Sequence, residues 1–467
     1  MRFVSTRGDT PALGFRDVVL AGLASDGGLY VPEVWPHLSE SEIADLAGCS
    51  YAEAARRIIG RFVDGEVADA ALKKIIDESY ATFRHAAVTP LAQLAPNHFL
   101  LELFHGPTLA FKDVAMQFLA RLVDHILAER NERATIVVAT SGDTGGAAVE
   151  AFRGRERVEL AVLFPDGRIS AVQRRQMTTA RERNIQAIAI EGTFDDAQAL
   201  VKGMFADAGF RERVRLSAVN SINFGRIAAQ VVYYFVAAVA LGAPKRGVSF
   251  TVPTGNFGNI YAGYAAKCMG LPIERLVVAT NTNDILHRAM TSGRYERRGV
   301  QATASPSMDI EISSNFERLL FEVENRNAGA VRRAMAGLAQ SGAFTLSEAA
   351  RNGLAEIFES GACDEAETAA TIKRTLRNSE VLVDPHSAVG IAVAERHLGK
   401  APMVTLATAH PAKFPDAVEA ACGCRPELPE WARAILSREE NYRVLPADLA
   451  QVENAIMARA QMAEAVV

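Results

Sequence analysis

The sequence predicts an α/β protein in which parallel sheets carry helices on both faces, preceded by a mainly helical N-terminal region. Three observations predict it. From about residue 95 onward the chain repeats a rhythm of apolar run, glycine-rich turn and helix-patterned stretch, the order of elements that builds parallel sheets covered by helices. The apolar runs are nearly continuous rather than alternating, as strands buried on both faces read. Two of the turns, SGDTGG and TGNFGN, directly follow such runs, where open α/β sheets present their ligand-binding ends.

The runs can be placed in order. ATIVVAT at 134–140 is a buried strand leading into SGDTGG at 141–146 and an alanine-rich helix. LAVLF at 160–164 ends at the turn Pro165-Asp166-Gly167, and IQAIAI at 185–190 is a further strand. VSFTVP at 248–253 leads into TGNFGN at 254–259 and a helix, and MVTLAT at 403–408 is a late strand. Residues 1–95 differ. Helix patterning at 50–62 and 68–83 sets them apart as an N-terminal layer. The segment 425–467 holds Pro426 and Pro429, then helical patterning from Pro446, and reads as a helical appendage on the surface.

Composition narrows the function. Across 467 residues, 49% are hydrophobic and 22% charged, so a sizeable core is available. The formal net charge of −5 offers no general basic field for nucleic acid or an anionic membrane. An anionic substrate therefore needs a local cluster of cations. The longest apolar stretch, 227–241, contains Gln230 and is shorter than the ~20 residues that span a bilayer. Cys49, Cys268, Cys363, Cys422 and Cys424 are odd in number and mostly scattered, which is no disulfide framework. Cys422 and Cys424 lack the partners that would complete a metal site, so no metal is expected. The simplest setting is the cytoplasm.

Four segments carry chemistry. In LELFHGPTLAFKD at 101–113, a strand breaks at His105-Gly106-Pro107 and a helix begins near Phe111 or Lys112. Apolar neighbours and a helix start both disfavour the charged form of Lys112, as a nucleophile or base requires, whereas Asp113 acts the other way. The same pattern also fits a surface lysine. In TSGDTGG at 140–146, the helix N-terminus with Thr140, Ser141 and Thr144 suits an anion, and Asp143 alternatively reads as an N-cap. In GNFGN, Gly255 and Gly258 let a phosphate approach the backbone or supply φ > 0, while Asn256 and Asn259 donate from their side chains. The segment has neither P-loop nor dinucleotide spacing, so a small phosphorylated cofactor fits better than a nucleotide. In ATAHPAK at 407–413, Thr408 sits where a hydroxyl could face a ligand over the sheet ends, with His410 and Lys413 as possible positive charges, but the segment alone reads more readily as a capping Thr408 and a solvated Lys413. Arg226, Lys267 and Lys413 are the basic candidates for a substrate phosphate; the planar, bidentate guanidinium of Arg226 suits it, and the residue reads equally well as a surface arginine. Asp384-Pro385-His386 lines a cleft in this reading, without an assigned role.

These segments resemble the threonine synthases of the longer bacterial and fungal type. The likeness covers most of the chain: STRG at 5–8, SDGGLYVP at 25–32, FHGPTLAFKD at 104–113, TSGDTGGAA at 140–148, SINFGR at 221–226, PTGNFGN at 253–259, SPSMDIEISSNFERLL at 305–320, DPHSAVG at 384–390 and ATAHPAKF at 407–414. The resemblance implies the tryptophan-synthase-β-like fold, pyridoxal-phosphate (PLP) fold type II. A large PLP-binding domain would comprise 96–130 and 223–424, and a small α/β domain 131–222. It implies that Lys112 carries PLP covalently and serves as the catalytic base. Gly255, Asn256, Phe257, Gly258 and Asn259 would hold the cofactor phosphate, Thr408 would face the pyridine nitrogen, and Asp143 would lie beside the cofactor O3′ and share a proton with it. Thr140, Ser141, Thr144 and Arg226 would bind substrate. The implied reaction takes O-phospho-L-homoserine and water to L-threonine and phosphate, by a monomer or homodimer without an added regulatory domain. A dehydratase or sulfhydrylase of related fold is the rival within PLP chemistry. A non-catalytic binder of phosphorylated metabolites is the rival outside it, and Lys112 argues against that reading.

Overall fold

The structure is a computed structural model that describes residues 1–464. Two parallel-rich sheets form its framework. The larger has six strands in the order Phe358–Ala362, Ile273–Thr280, Val248–Pro253, Met403–Ala407, His98–Glu102 and Leu91–Ala95, all parallel except the last pair. The smaller has five parallel strands in the order Arg443–Pro446, Ile185–Glu191, Val158–Pro165, Ala134–Ala139 and Leu216–Ser217. The central strands are buried along their lengths, which is why they read as unbroken apolar runs.

The apolar stretch around Gln230 is a helix, Phe224–Ala240, buried over most of its circumference. It is packed by the helices Tyr51–Val63, Lys112–Arg130 and Gly258–Cys268. A helix apolar all round belongs in a core. Among the described residues no helix is long and apolar enough to cross a membrane.

The N-terminal layer contains the expected helices, Tyr51–Val63 and Asp69–Tyr80, and a short antiparallel ladder of Phe3–Ser5 with Tyr30–Pro32. Its last segment, Leu91–Ala95, is already the edge strand of the large sheet.

The C-terminal segment differs from the expected surface appendage. Arg443–Pro446 adds a parallel edge strand to Ile185–Glu191, and the helix Leu449–Glu464 buries Val452 and Ile456 in the core of the smaller sheet. The strand is four residues long and half exposed, too short for its pattern to register against the helical signal that follows.

Candidate active site

The site begins at a kinked entry into a helix. Leu109 adopts φ +62°, and Ala110 then pairs with Ala409 in an isolated antiparallel bridge. Phe111 N–H donates to the Thr408 carbonyl at 2.8 Å, and His410 N–H donates to the Leu109 carbonyl at 3.0 Å. Lys112 is the first residue of the helix Lys112–Arg130. The expected strand-to-helix lysine is therefore locked to the segment that carries Thr408. Asp113 does not oppose Lys112. Its carboxylate turns back to accept from Thr108 Oγ1 at 2.6 Å and Thr108 N–H at 2.8 Å.

Lys112 reaches a cavity of about 290 Å³ between the two sheets, which is also lined by Thr140, Arg226, Asn259, Ser307, His386 and Thr408. Its Nζ lies 3.4 Å from Ser307 Oγ, 3.6 Å from Asp143 Oδ2 and 4.8 Å from the Phe111 ring centroid. No one partner holds the ammonium tightly. Burial pushes its pKa down, with Lys413 and Arg226 adding to the effect and Asp143 opposing it.

Asp143 is not an N-cap. Gly142 occupies that position with φ +135°, and Asp143 opens the helix Asp143–Phe152. A side chain at Gly142 would collide with Gln173 at 2.4 Å. The Asp143 carboxylate accepts from Gln173 Nε2 and pairs with Lys413 Nζ, both at 2.9 Å. Burial alone would raise its pKa, but Lys413, Lys112 and the Gln173 bond outweigh it and hold the group well below the usual carboxylate range. Two lysines, Lys413 and Lys112, thus stand against one ionised carboxylate. Asp143 lies behind the cavity wall, which is formed here by Thr140, Ser141 and Thr144. The Thr140 hydroxyl accepts from Gly142 and Gly145 N–H, both at 2.9 Å, and so shapes the loop. Ser141 and Thr144 are half-buried on the cavity side.

The GNFGN loop is built differently from expectation. Neither Gly255 nor Gly258 has positive φ; the left-handed residue is Phe257, at φ +62°. Such a conformation costs a non-glycine residue roughly 1–2 kcal/mol. Burial of the Phe257 ring against Phe316 and Phe358 offsets it. Gly255 is needed for close approach, since a Cβ there would lie 2.6 Å from the Ser307 carbonyl oxygen. Ser313 Oγ donates to the Gly255 carbonyl at 2.6 Å, and Asn315 Nδ2 donates to the Asn256 carbonyl at 2.9 Å. Asn256 is exposed, whereas Asn259 is buried. The Asn259 Oδ1 accepts from the Tyr233 hydroxyl, and its Nδ2 is buried without a partner.

The basic candidates separate. Arg226 lines the cavity, and its Nε and Nη1 are buried without partners. Burial lowers its pKa to about 10. Lys413 is fully buried and engaged with Asp143, the Thr108 carbonyl and Gln176. Lys267 donates to the Ile273 carbonyl and does not line the cavity. His410 brings no charge, because burial pushes its pKa down to about 4. Lys202, on the helix Phe194–Ala206, is an exposed cation at the cavity that sequence reasoning did not single out.

Ser307 and His386 complete the floor. Asp384 caps the helix Pro385–Glu395 and accepts from His386 Nδ1 at 2.7 Å. That bond leaves His386 Nε2 to accept from Ser307 N–H at 3.1 Å. Ser387 Oγ accepts from Thr408 N–H at 3.2 Å. One capping aspartate thus orients residues that grip both Ser307 and Thr408. The segments holding Ser307 and His386 stood out in the sequence, but their partners are distant in the chain, and no local signal pairs them.

Among the described residues Arg226 Nε, Arg226 Nη1 and Asn259 Nδ2 are buried donors without acceptors, and a phosphorylated ligand would supply them. The helix N-terminus at Gly258 adds backbone N–H groups and a favourable dipole. The donor set and the single loosely held lysine fit pyridoxal phosphate.

Three family models match in sequence: threonine synthase N terminus over residues 2–80, pyridoxal-phosphate dependent enzyme over 83–409, and threonine synthase, C-terminal, over 387–456. The threonine synthase of Pseudomonas aeruginosa is 53% identical, with 97% of each chain covered. The chain belongs to the threonine synthase family. Among solved structures, PLP-bound threonine synthase from Brucella melitensis superposes with a TM-score of 0.97 at 57% identity, covering 99% of this chain and all of that one. Yeast threonine synthase superposes at 0.93 with 39% identity, covering 99% of each. Maize serine racemase, 13% identical with a TM-score of 0.51 over 73% of this chain and 92% of its own, shares the fold alone. The threonine synthase fold is thus one form of the fold-type-II architecture, with parallel sheets and covering helices as expected.

Proposed function

We infer that this chain is a PLP-dependent lyase that converts O-phospho-L-homoserine and water to L-threonine and phosphate, the last step of threonine biosynthesis. The observation that carries the reading is a cavity that offers phosphate two groups of donors, the GNFGN loop and the unpartnered Arg226 guanidinium, together with one loosely held lysine. A dehydratase or sulfhydrylase needs only the first of them.

PLP, when bound, supplies an electron sink that makes carbon-bound protons of the substrate acidic. Gly255, Asn256, Phe257, Gly258 and Asn259 would hold its phosphate through backbone N–H groups and the Asn259 amide, and Thr408 would hold its ring nitrogen. Lys112 is its covalent attachment point and the base that takes the proton from the amine-bearing carbon. Asp143 supplies the counter-charge to Lys112 from behind the wall. Ser141 and Thr144 orient the substrate carboxylate, with Thr140 holding their loop in shape. Arg226 binds the substrate phosphate, with charge-assisted bonds that keep it in place until it departs. The reading places the enzyme in the cytoplasm, as a monomer or homodimer.

Turnover tests it. Purified protein given O-phospho-L-homoserine should release phosphate and threonine in equal amounts, and Lys112→Ala should release neither. Formation of 2-oxobutyrate from threonine, without phosphate release from phosphohomoserine, would replace this reading with a dehydratase.

A further inference from the structure

Two lysines share one carboxylate in this site, and they share it unequally. Lys413 Nζ has three acceptors for its three protons: Asp143 Oδ1 at 2.9 Å, the Thr108 carbonyl at 2.7 Å and Gln176 Oε1 at 3.0 Å. Lys112 stands 3.6 Å from the other oxygen of the same carboxylate. A fully buried side chain with three acceptors around its terminal nitrogen is held in one place. Gln173 Nε2 adds a donor to the same oxygen that Lys413 holds. The carboxylate is therefore drawn towards Lys413 and away from Lys112.

We propose that Lys413 is a positioning residue for Lys112: by holding Asp143 it keeps that carboxylate from closing on the Lys112 ammonium, and so leaves the amine free to lose its proton. This rests on reading Lys112 as the residue that takes up the cofactor. Only a neutral amine can do so, its nitrogen adding to the aldehyde carbon while the aldehyde oxygen leaves as water.

The other charged groups around Lys112 do not substitute for Lys413. Arg226, on the helix Phe224–Ala240, faces the same cavity but makes no contact with Asp143. His386 is bonded to Asp384 and to Ser307, and Asp384 is its carboxylate partner. Asp113 is turned to Thr108. Asp309, beside Ser307, accepts from Asn281 and Asn283 at 2.8 Å each. His410 is held neutral by burial. Among the described residues, Lys413 is the one cation besides Lys112 that pairs with the Asp143 carboxylate.

The test measures how fast cofactor-free protein takes up pyridoxal phosphate as a function of pH, with the modified lysine identified by borohydride trapping and peptide mass. Lys413→Met keeps the apolar stem and removes the charge. Its uptake profile should lie about one unit higher in pH than that of the unaltered protein, about tenfold slower at a given pH on the rising limb. Lys413→Met combined with Asp143→Asn removes both charges and should return the profile to or below the original. Lys413→Gln makes the same prediction where Lys413→Met is not recovered folded. Profiles that superimpose, or that fall equally at every pH in single and double variants, overturn the proposal. Uptake in the unaltered protein at a lysine other than Lys112 overturns both this inference and the site on which it rests.

Discussion

Lys112 Nζ lies 3.6 Å from Asp143 Oδ2, while Lys413 Nζ sits 2.9 Å from Oδ1 of the same carboxylate. One buried negative charge is thus set against two positive ones, with a third, Arg226, on the same cavity. The arrangement is stable only while the carboxylate is ionised, and its neighbours ensure that it is. Its function depends on the lysine that is held less well.

The Asp143→Asn variant isolates that charge. Removing one partner of a buried pair leaves charge uncompensated and costs about 3–5 kcal/mol. The folded Asp143 carboxyl lies below its unfolded value of 3.8, so its stabilisation is fully present above that value. It is lost as pH falls further towards the folded pKa. Melting curves of the two proteins should therefore differ by a constant amount from neutral pH down to about 4 and converge only below it. A gap that closes between pH 7 and 5 would show that Asp143 is not the ionised partner described here.

Gly255 and Gly258 should respond differently to alanine. A Cβ at Gly255 meets the Ser307 carbonyl at 2.6 Å, whereas one at Gly258 meets Asn315 Nδ2 at 3.3 Å and the Ser221 carbonyl at 3.6 Å. The first contact is with backbone and forces the Ser307 turn away, at about 1–3 kcal/mol. Gly255→Ala should weaken cofactor binding by about tenfold or more, and Gly258→Ala by less, in a titration of cofactor-free protein. Equal losses would mean that the phosphate, rather than Ser307, sets the space at this loop.

Parts of this site were legible in sequence for a physical reason. Buried parallel strands read as unbroken apolar runs, and their turns must carry small residues, so SGDTGG, GNFGN and the helix start at Lys112 declared themselves. What stayed hidden depends on partners far along the chain. Lys413 is a basic residue in a loop until Asp143, Gln176 and Thr108 surround it. His386 gains its role from Ser307, 79 residues away. The left-handed backbone of GNFGN falls on Phe257 because its ring is drawn into the core, which a rule about glycines does not anticipate. The edge strand Arg443–Pro446 lies half exposed and too short to show a period.

A buried histidine and a half-buried one set an acid limit on stability. Burial pushes His98 and His410 down to about 4 from an ordinary value of 6.5. His98 Nε2 shares a hydrogen bond with Thr405 Oγ1 at 2.9 Å across the central strands. Because the folded pKa lies below the unfolded one, each histidine takes up its proton on unfolding before it does so when folded. Stability should therefore fall as pH drops from about 6.5 to about 4. His98→Gln keeps a hydrogen-bonding amide without titrating and should flatten part of that slope in denaturant titrations at fixed pH. An unchanged slope would locate the acid sensitivity elsewhere.

Arg226 gives the sharpest contrast, since its effects on folding and on substrate should have opposite signs. Its guanidinium is buried with Nε and Nη1 unpartnered, and burial lowers its pKa to about 10. An uncompensated buried cation opposes folding, so Arg226→Met, which keeps an apolar stem, should raise the melting temperature of the cofactor-free protein. The same guanidinium is the available cation for the substrate phosphate. A charge-assisted bond is worth about 1.5–3 kcal/mol, so its loss should raise KM for O-phospho-L-homoserine by about tenfold to a hundredfold. Inorganic phosphate, which competes with substrate through the same contact, should lose affinity in parallel. Cofactor affinity should stay level, since in the proposed reading the other phosphate is held by the GNFGN loop, which lines the same cavity. If cofactor affinity falls while KM holds, the roles are exchanged: Arg226 then belongs to the cofactor, and Lys202 on the helix Phe194–Ala206 becomes the cation that faces the substrate.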